Sequence, residues 1–246
     1  MRKTRKLAKS IRRLFIVCVL LLVALIAAMA VFGGRLAGAA IEDVGTEAFQ
    51  TAVTIDKTTL SALGGTLHLQ GLTVANPAGY RHKTFLELKQ GDMQMNVTDL
   101  LGKELTIRDL TFDGLNVILE PNGTGSNLQD IIESLRKAPP FGKRLYVDRL
   151  RITNITVTTA LLPSAGQVGL VPLNVAPIEM TDLGRDENLT ASKLAYKILT
   201  ALAANLAKPN GVSLPPQTGN SVLDAVISLG KSVLGTQDPN TPADRR

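Results

Sequence analysis

The sequence is poor in the residue types that build catalytic and metal centres. Its 246 residues include one cysteine, two histidines and no tryptophan, and aromatic residues make up 4% of the chain. The single cysteine, Cys18, excludes an internal disulfide framework and a cysteine-based metal site. The two histidines, His68 and His82, form no paired-histidine metal motif and no recognisable serine, histidine and acid set. We therefore expect no enzyme activity, no cofactor and no metal.

An excess of basic charge is also absent from most of the chain. The formal net charge is +6 at pH 7, but seven of the 27 basic residues lie within residues 1–13, which contain no acidic residue. The remaining residues carry 20 basic and 21 acidic side chains. Because this body is close to neutral, it offers no general surface for a phosphate backbone, and a nucleic-acid partner is not expected.

Residues 14–32 are apolar throughout. Leu14–Phe32 reads LFIVCVLLLVALIAAMAVF, and a helix of that length spans roughly the ~30 Å hydrocarbon core of a bilayer. The basic segment 1–13 should remain in the cytoplasm. A cleaved signal peptide is the alternative, with small residues at Ala37–Ala39 as its cleavage site. The long apolar stretch and the intervening Arg35 favour an uncleaved, single-pass anchor with the following domain outside the cytoplasm.

Three segments repeat one pattern of apolar residues. They begin at Leu67, Leu105 and Leu145, at spacings of 38 and 40 residues. The alternation within each predicts a β-strand. One extra residue in the middle of each segment predicts a β-bulge, which adds twist and bend to the sheet. The residues that we expect on one apolar, groove-like face are Leu67, Leu69, Leu72, Val74, Leu105, Ile107, Leu110, Phe112, Leu145, Val147, Leu150 and Ile152.

Turn residues separate these segments from shorter strand patterns. Gln90-Gly91-Asp92 and Asp113-Gly114 predict tight turns between antiparallel neighbours. The stretch Asn76-Pro77-Ala78-Gly79-Tyr80 predicts the end of a strand, because proline cannot donate to the ladder and glycine permits a left-handed backbone. We expect Asn76, Pro77, Gly79 and Tyr80 to form a turn at the rim of the sheet.

Helical patterns interrupt and follow the strands. Ser126 and Gln129 form a capping box before an apolar stripe, which predicts an inserted helix over about 126–137. Further amphipathic patterns predict helices within 190–235, whereas the composition of 236–246 is typical of a solvated tail.

These elements together predict an α+β fold. A transmembrane helix is followed by a curved, bulged antiparallel β domain over residues 33–189, and the amphipathic helices pack on its sheet.

The order of these features resembles that of the bacterial AsmA-like envelope proteins. The resemblance covers most of residues 40–207 and begins with a basic segment, an anchor and the Asn-Pro-x-Gly-Tyr stretch. Its other motifs are Phe85, Asp99-Leu100-Leu101, Leu105-Thr106-Ile107, Asp113-Gly114, Glu120 and Gly125-Ser126-Asn127-Leu128. It implies an inner-membrane anchor, a periplasmic domain and a bent sheet with an apolar groove. A lower-ranked similarity is to late-embryogenesis-abundant type 2 domains, which lack the Gly-Ser-Asn-Leu helix.

Two functions are consistent with this sequence. In the first, the apolar groove holds acyl chains of membrane phospholipid, and the protein serves lipid transport or envelope homeostasis. In the second, the protein's own helices fill the groove, and the domain is a scaffold that binds another envelope protein. A face that packs on lipid and a face that packs on a helix use the same leucine and valine residues, so the sequence leaves both open.

Overall fold

The computed structural model describes residues 32–61, 64–122, 125–140, 142–161, 169–208, 211–213 and 220–235. The predicted membrane segment lies outside these residues apart from Phe32, as do the basic segment and the tail. Within the described residues, no helix combines the length and the hydropathy needed to cross a membrane. Over this part of the chain the fold is α+β, with four helices and one mixed β-sheet.

The described part of the sheet has nine strands. They are β1 (Val53–Ser61), β2 (Thr66–Ala75), β3 (Thr84–Met95), β4 (Glu104–Leu119), β5 (Arg144–Thr153), β6 (Ile155–Leu161), β7 (Gly169–Val175), β8 (Ile178–Leu183) and β9 (Val212–Ser213). The main order is β1-β2-β3-β4-β6-β7-β9, and β5 lies between β4 and β8. One end of the sheet, here called the lower end, is where β1 and β3 finish and β2 and β4 begin. The opposite end is the upper end.

Helices border the sheet along one edge and on one face. They are α1 (described over 32–49), α2 (Asn127–Lys137), α3 (Ala191–Leu206) and α4 (Asn220–Val233). A short 3-10 helix, Val97–Leu101, joins β3 to β4 at the lower end. Ser126 caps α2 by accepting a hydrogen bond from the Gln129 amide at 3.3 Å, and Thr190 caps α3 in the same way. These caps place the helices where their sequence patterns predict them.

The sheet is mixed, which corrects the expectation of a wholly antiparallel sheet. Strands β1 to β4 pair antiparallel, but β4 pairs parallel with both β5 and β6. The connection from β4 to β5 includes α2 and returns the chain to the lower end, so that Arg144 starts beside Glu104. A connection of this length permits the parallel pairing that a tight turn cannot make.

Two predicted turns are wrong, because both sites lie inside continuous strands. Gln90-Gly91-Asp92 lies inside β3, and Asp113-Gly114 lies inside β4. The ladder continues through both sites, with Gly91 opposite Phe112 and Gln90 opposite Asp113. A Cβ atom at Gly91 would lie 3.0 Å from the Leu69 side chain and 3.2 Å from that of Phe112. This glycine therefore makes room for neighbouring side chains within a long strand.

The extra residue of each repeat is accommodated in more than one way. In the first repeat, Gly71 has φ +66° and the pairing with β1 and β3 keeps one register on both sides of it. In the second repeat, the register between β3 and β4 shifts at Gln94/Met95, which leaves Arg108 as a bulged residue. In the third repeat, the pairing of β5 shows no shift, and Asp182 on β8 has φ +56°. The bulge prediction is therefore right for one repeat and wrong for two.

Candidate functional site

The apolar residues of the three repeats share one face of the sheet, here called the apolar face. Cross-strand pairs bring them together: Leu67 lies opposite Met93, which lies opposite Leu110, which lies opposite Leu150. Residues next to them in sequence, such as Thr111, belong to the opposite, polar face. Of the twelve predicted face residues, nine are buried. Leu72, Phe112 and Leu145 are half-buried.

The helices pack on this face. Their apolar side chains belong to the same continuous hydrophobic core as the strand residues. The contributing residues are Leu128, Ile131, Ile132 and Leu135 of α2, Leu194, Leu199, Leu202, Ala203 and Leu206 of α3, and Val226 of α4. Burial of this amount of apolar surface is the main stabilising term for such a domain.

Helical cover of the apolar face is incomplete at separate positions. Leu72 is half-buried in the upper half, and half-buried residues are more numerous in the lower half, although most residues there, such as Leu110, are buried. In the upper half, both Val117 on β4 and Val157 on β6 are fully buried. In the lower half, Met93 on β3 and Phe112 on β4 are half-buried, although both strands are in the middle of the sheet. Leu60, Leu145, Met180 and Leu183 are also half-buried apolar residues of the lower half. The described helices therefore leave a partly covered apolar strip near the lower end.

The predicted rim turn lies at the upper end and is fixed by hydrogen bonds. Asn76 donates from its side chain to the His82 carbonyl at 3.0 Å, and its backbone amide donates to the Lys83 carbonyl at 2.8 Å. Gly79 has φ +99°, as a glycine at this position permits. Pro77, which follows Asn76, and Tyr80, at the end of the turn, are both half-buried.

A buried carboxylate connects the rim turn to β4. Glu120 is 7% exposed and accepts hydrogen bonds from the backbone amides of Arg81 at 2.8 Å and His82 at 3.1 Å. Nδ1 of His82 lies 2.9 Å from the same carboxylate. Burial raises the pKa of Glu120, but these backbone and side-chain hydrogen bonds lower it by more, so the net pKa lies below its usual value.

Asn127, the first residue of α2, joins the same network and is fully buried. Its Oδ1 accepts from the backbone amides of Glu120 and Leu128, each at 2.9 Å. Its Nδ2 donates to Oδ1 of Asn76 at 2.9 Å and to the Ile118 carbonyl at 2.7 Å. All four hydrogen-bonding positions of this amide are therefore used.

Tyr80 completes the connection between the rim turn and α2. Its hydroxyl donates to Oδ2 of Asp130 at 2.5 Å and accepts from Nδ2 of Asn122 at 2.7 Å. Burial and the bond to Asp130 raise the pKa of Tyr80 well above its usual value. The acidic side chains and the histidine of this network are hydrogen-bonded within it. Its geometry therefore indicates a structural role, in which it joins β4, the rim turn and α2.

Helix α1 covers the outer edge of β1. Oε1 of Glu42 accepts from the Ile55 amide at 2.6 Å, and Oγ1 of Thr46 accepts from the Val53 amide at 3.1 Å. Gly34 and Gly38 allow the helix to approach the strand closely, because side chains there would collide with Thr58. A half-open cleft of about 540 Å³ lies between α1 and β1. This edge is therefore protected against pairing with another strand.

The residues that the structure describes contain no group of three or more histidine, cysteine or acidic side chains able to hold a metal ion.

Comparison with protein-family models finds no matching family, and comparison with curated proteins finds no significant match. The AsmA-like resemblance therefore stays a prediction.

Sequence reasoning did not predict the roles of His82, Glu120 and Asn127 in one network. Glu120 and Asn127 belong to the motifs of the AsmA-like resemblance, but nothing in their spacing connects them to Asn76, which lies 51 positions before Asn127. The capping box at Ser126 was the one local signal, because it fixes the start of α2 beside the end of β4.

Proposed function

We propose that this chain is an AsmA-like, non-enzymatic protein anchored in the inner membrane by a single helix, with its N-terminus in the cytoplasm. Its periplasmic domain presents a curved, groove-like sheet that handles phospholipid acyl chains in lipid transport or envelope homeostasis. The observation that carries the proposal is the partly covered apolar strip around Met93 and Phe112. Apolar side chains in the middle of a sheet are usually fully covered, and a partly covered apolar strip favours an apolar ligand.

The position of the strip supports the same function. Leu60, at the end of β1, lies beside the first described turn of α1. A Cβ atom added at Gly33 of that turn would be 3.4 Å from Leu60 Cδ2. The predicted membrane helix immediately precedes α1 in sequence. An anchored domain would therefore hold the lower half of its apolar face nearer to the bilayer than the upper half. Each methylene group that moves from water to such a face contributes about 0.8 kcal/mol.

Burial of nine of the twelve face residues favours the second candidate function. In that case the helices form the permanent filling of the groove, and the domain is a scaffold for another envelope protein. The two candidates differ in one physical respect: only the first requires lipid contact at the strip.

Quantification of bound lipid separates the two functions. The chain from residue 33 onward, which keeps α1 on β1, would be secreted to the periplasm, purified without detergent and examined by mass spectrometry. We expect phospholipid in a fixed molar ratio to protein, and less of it in Met93→Gln. The matched control Gln94→Met changes the neighbouring residue on the polar face and should leave retention unchanged. A folded, lipid-free domain would contradict lipid handling and favour the scaffold function.

A further inference from the structure

Exposed apolar side chains are concentrated at the lower end of the domain. Among the described residues, four large hydrophobic side chains are exposed: Phe32 at 54%, Leu36 at 71%, Leu101 at 95% and Leu234 at 36%. Phe32 and Leu36 lie on the first described turns of α1, whose Gly33 is beside Leu60 at the lower end. Leu101 ends the 3-10 helix between β3 and β4 at the same end.

The loop that carries Leu101 is held in place by hydrogen bonds. Oδ2 of Asp99 accepts from the Thr106 amide at 3.1 Å, and the Asp99 carbonyl accepts from the Gly102 amide at 3.0 Å. Nζ of Lys143 donates to the carbonyls of Asp99 and Gly102. Leu101 is therefore presented to solvent by an ordered loop, and its side chain buries almost none of its surface within the domain.

We propose that the lower end of the domain docks on the surface of the membrane that holds the anchor, with Leu101 and Leu36 inserted at the lipid interface. This inference rests on the anchor in the proposed function. Strands β1 and β4 are three strand spacings apart, so Leu101 is offset from the start of α1 by roughly 15 Å along that end. Two apolar contacts separated in this way fix the tilt of a domain that one helix alone would leave free.

The charges around Leu101 are compatible with this partner. Lys103 is exposed beside it, and Lys143 and Arg144 lie at the start of β5 at the same end. Asp99 and Glu104 are the acidic residues of these two segments, and Glu104 pairs with Arg144 at 3.7 Å. The loop after β8 adds Arg185, Asp186 and Glu187 at the same end, so charges of both signs lie there and the apolar side chains supply the insertion.

Fluorescence quenching by lipid tests this orientation in the full-length chain. The protein would be reconstituted in vesicles of phosphatidylethanolamine and phosphatidylglycerol that contain brominated acyl chains. An environment-sensitive label would be attached at Leu101→Cys or, as the matched control at the upper end, at exposed Ala78→Cys, each in a Cys18→Ala background. We expect blue-shifted, quenched emission from the label at position 101 and no quenching at position 78.

The other outcomes overturn the inference in distinguishable ways. A label on native Cys18 that is quenched while position 101 is not would retain the anchor and refute docking. An unquenched label on Cys18 would refute the anchor and docking together. Quenching at both 78 and 101 would refute the proposed orientation. Met93→Gln should leave the signal at position 101 unchanged, so failure of lipid handling and failure of docking give different results.

Discussion

Replacing Asn127 by aspartate should destabilise the domain strongly, although the two side chains have nearly the same shape. The change converts Nδ2 into an oxygen, which then faces Oδ1 of Asn76 and the Ile118 carbonyl without a proton between them. Asn76 cannot compensate by rotating its amide, because its Nδ2 already donates to the His82 carbonyl at 3.0 Å. The new carboxylate would also be fully buried, with the Glu120 backbone amide as a hydrogen-bond donor to it.

The magnitude follows from the number of groups that lose a partner. Each buried acceptor left without a donor costs about 1–3 kcal/mol, so two of them cost roughly 2–6 kcal/mol. Urea denaturation followed by circular dichroism measures this difference. Asn174→Asp is the matched control, because Asn174 is exposed, lies outside this network and should change the free energy of unfolding by less than about 1 kcal/mol. A loss below about 1 kcal/mol in Asn127→Asp would refute the network described above.

Three further changes test the fold. Leu110→Asp places a charge at a 2%-exposed position of the apolar face and should unfold the domain in circular dichroism. Arg108→Asp, at an exposed position of the same strand, should cost less than about 1 kcal/mol. Because the pKa of Glu120 is lowered by folding, its stabilising effect is present above its usual pKa of 4.5 and is lost as pH falls through the lowered value. Glu120→Gln should therefore reduce the dependence of melting temperature on pH below about 4.5. Gly65→Ala should cost more than the ~1–2 kcal/mol of a left-handed alanine, because φ is +62° and the new methyl group meets the Met95 carbonyl oxygen.

Each of these expectations has a contradicting result. A folded Leu110→Asp variant would show that the apolar face is assigned to the wrong side of β4. An unchanged acid transition in Glu120→Gln would remove Glu120 from the acid-sensitive groups. Gly235→Ala is the control for Gly65, since φ is +67° and no atom lies within 4 Å of the added group. Equal losses at the two glycines would show that the Met95 carbonyl is not a constraint.

The alternation of apolar residues predicted the strands and their faces well, because it depends only on local geometry. It did not predict strand pairing. Asp113-Gly114 has the composition of a hairpin turn, yet in the structure Gly114 continues β4 with φ +72°. A left-handed glycine can end a strand or bend one, and the choice depends on neighbours that the sequence does not reveal. The sequence did not predict the parallel pairing of β4 with β5 either, because that pairing joins segments 40 positions apart.

The candidate site was predictable to a similar extent. Repeat patterns identified residues of the apolar face, since each strand carries its own share of the signal. They could not show that Phe112 is half-buried while Ile107, on the same strand, is buried, because this difference depends on where the helices lie. The contact between Tyr80 and Asp130 links residues 50 positions apart and has no local signature.

Photo-crosslinking of the full-length protein in cells tests lipid contact most directly. A benzophenone amino acid would replace Phe112 or, as the matched control, Thr111, which is also half-buried but belongs to the polar face. The account predicts phospholipid adducts at position 112 and none at position 111, as measured by mass spectrometry of the purified protein. Adducts at position 112 that join only this chain's own helices would contradict it and would leave the scaffold function in its place.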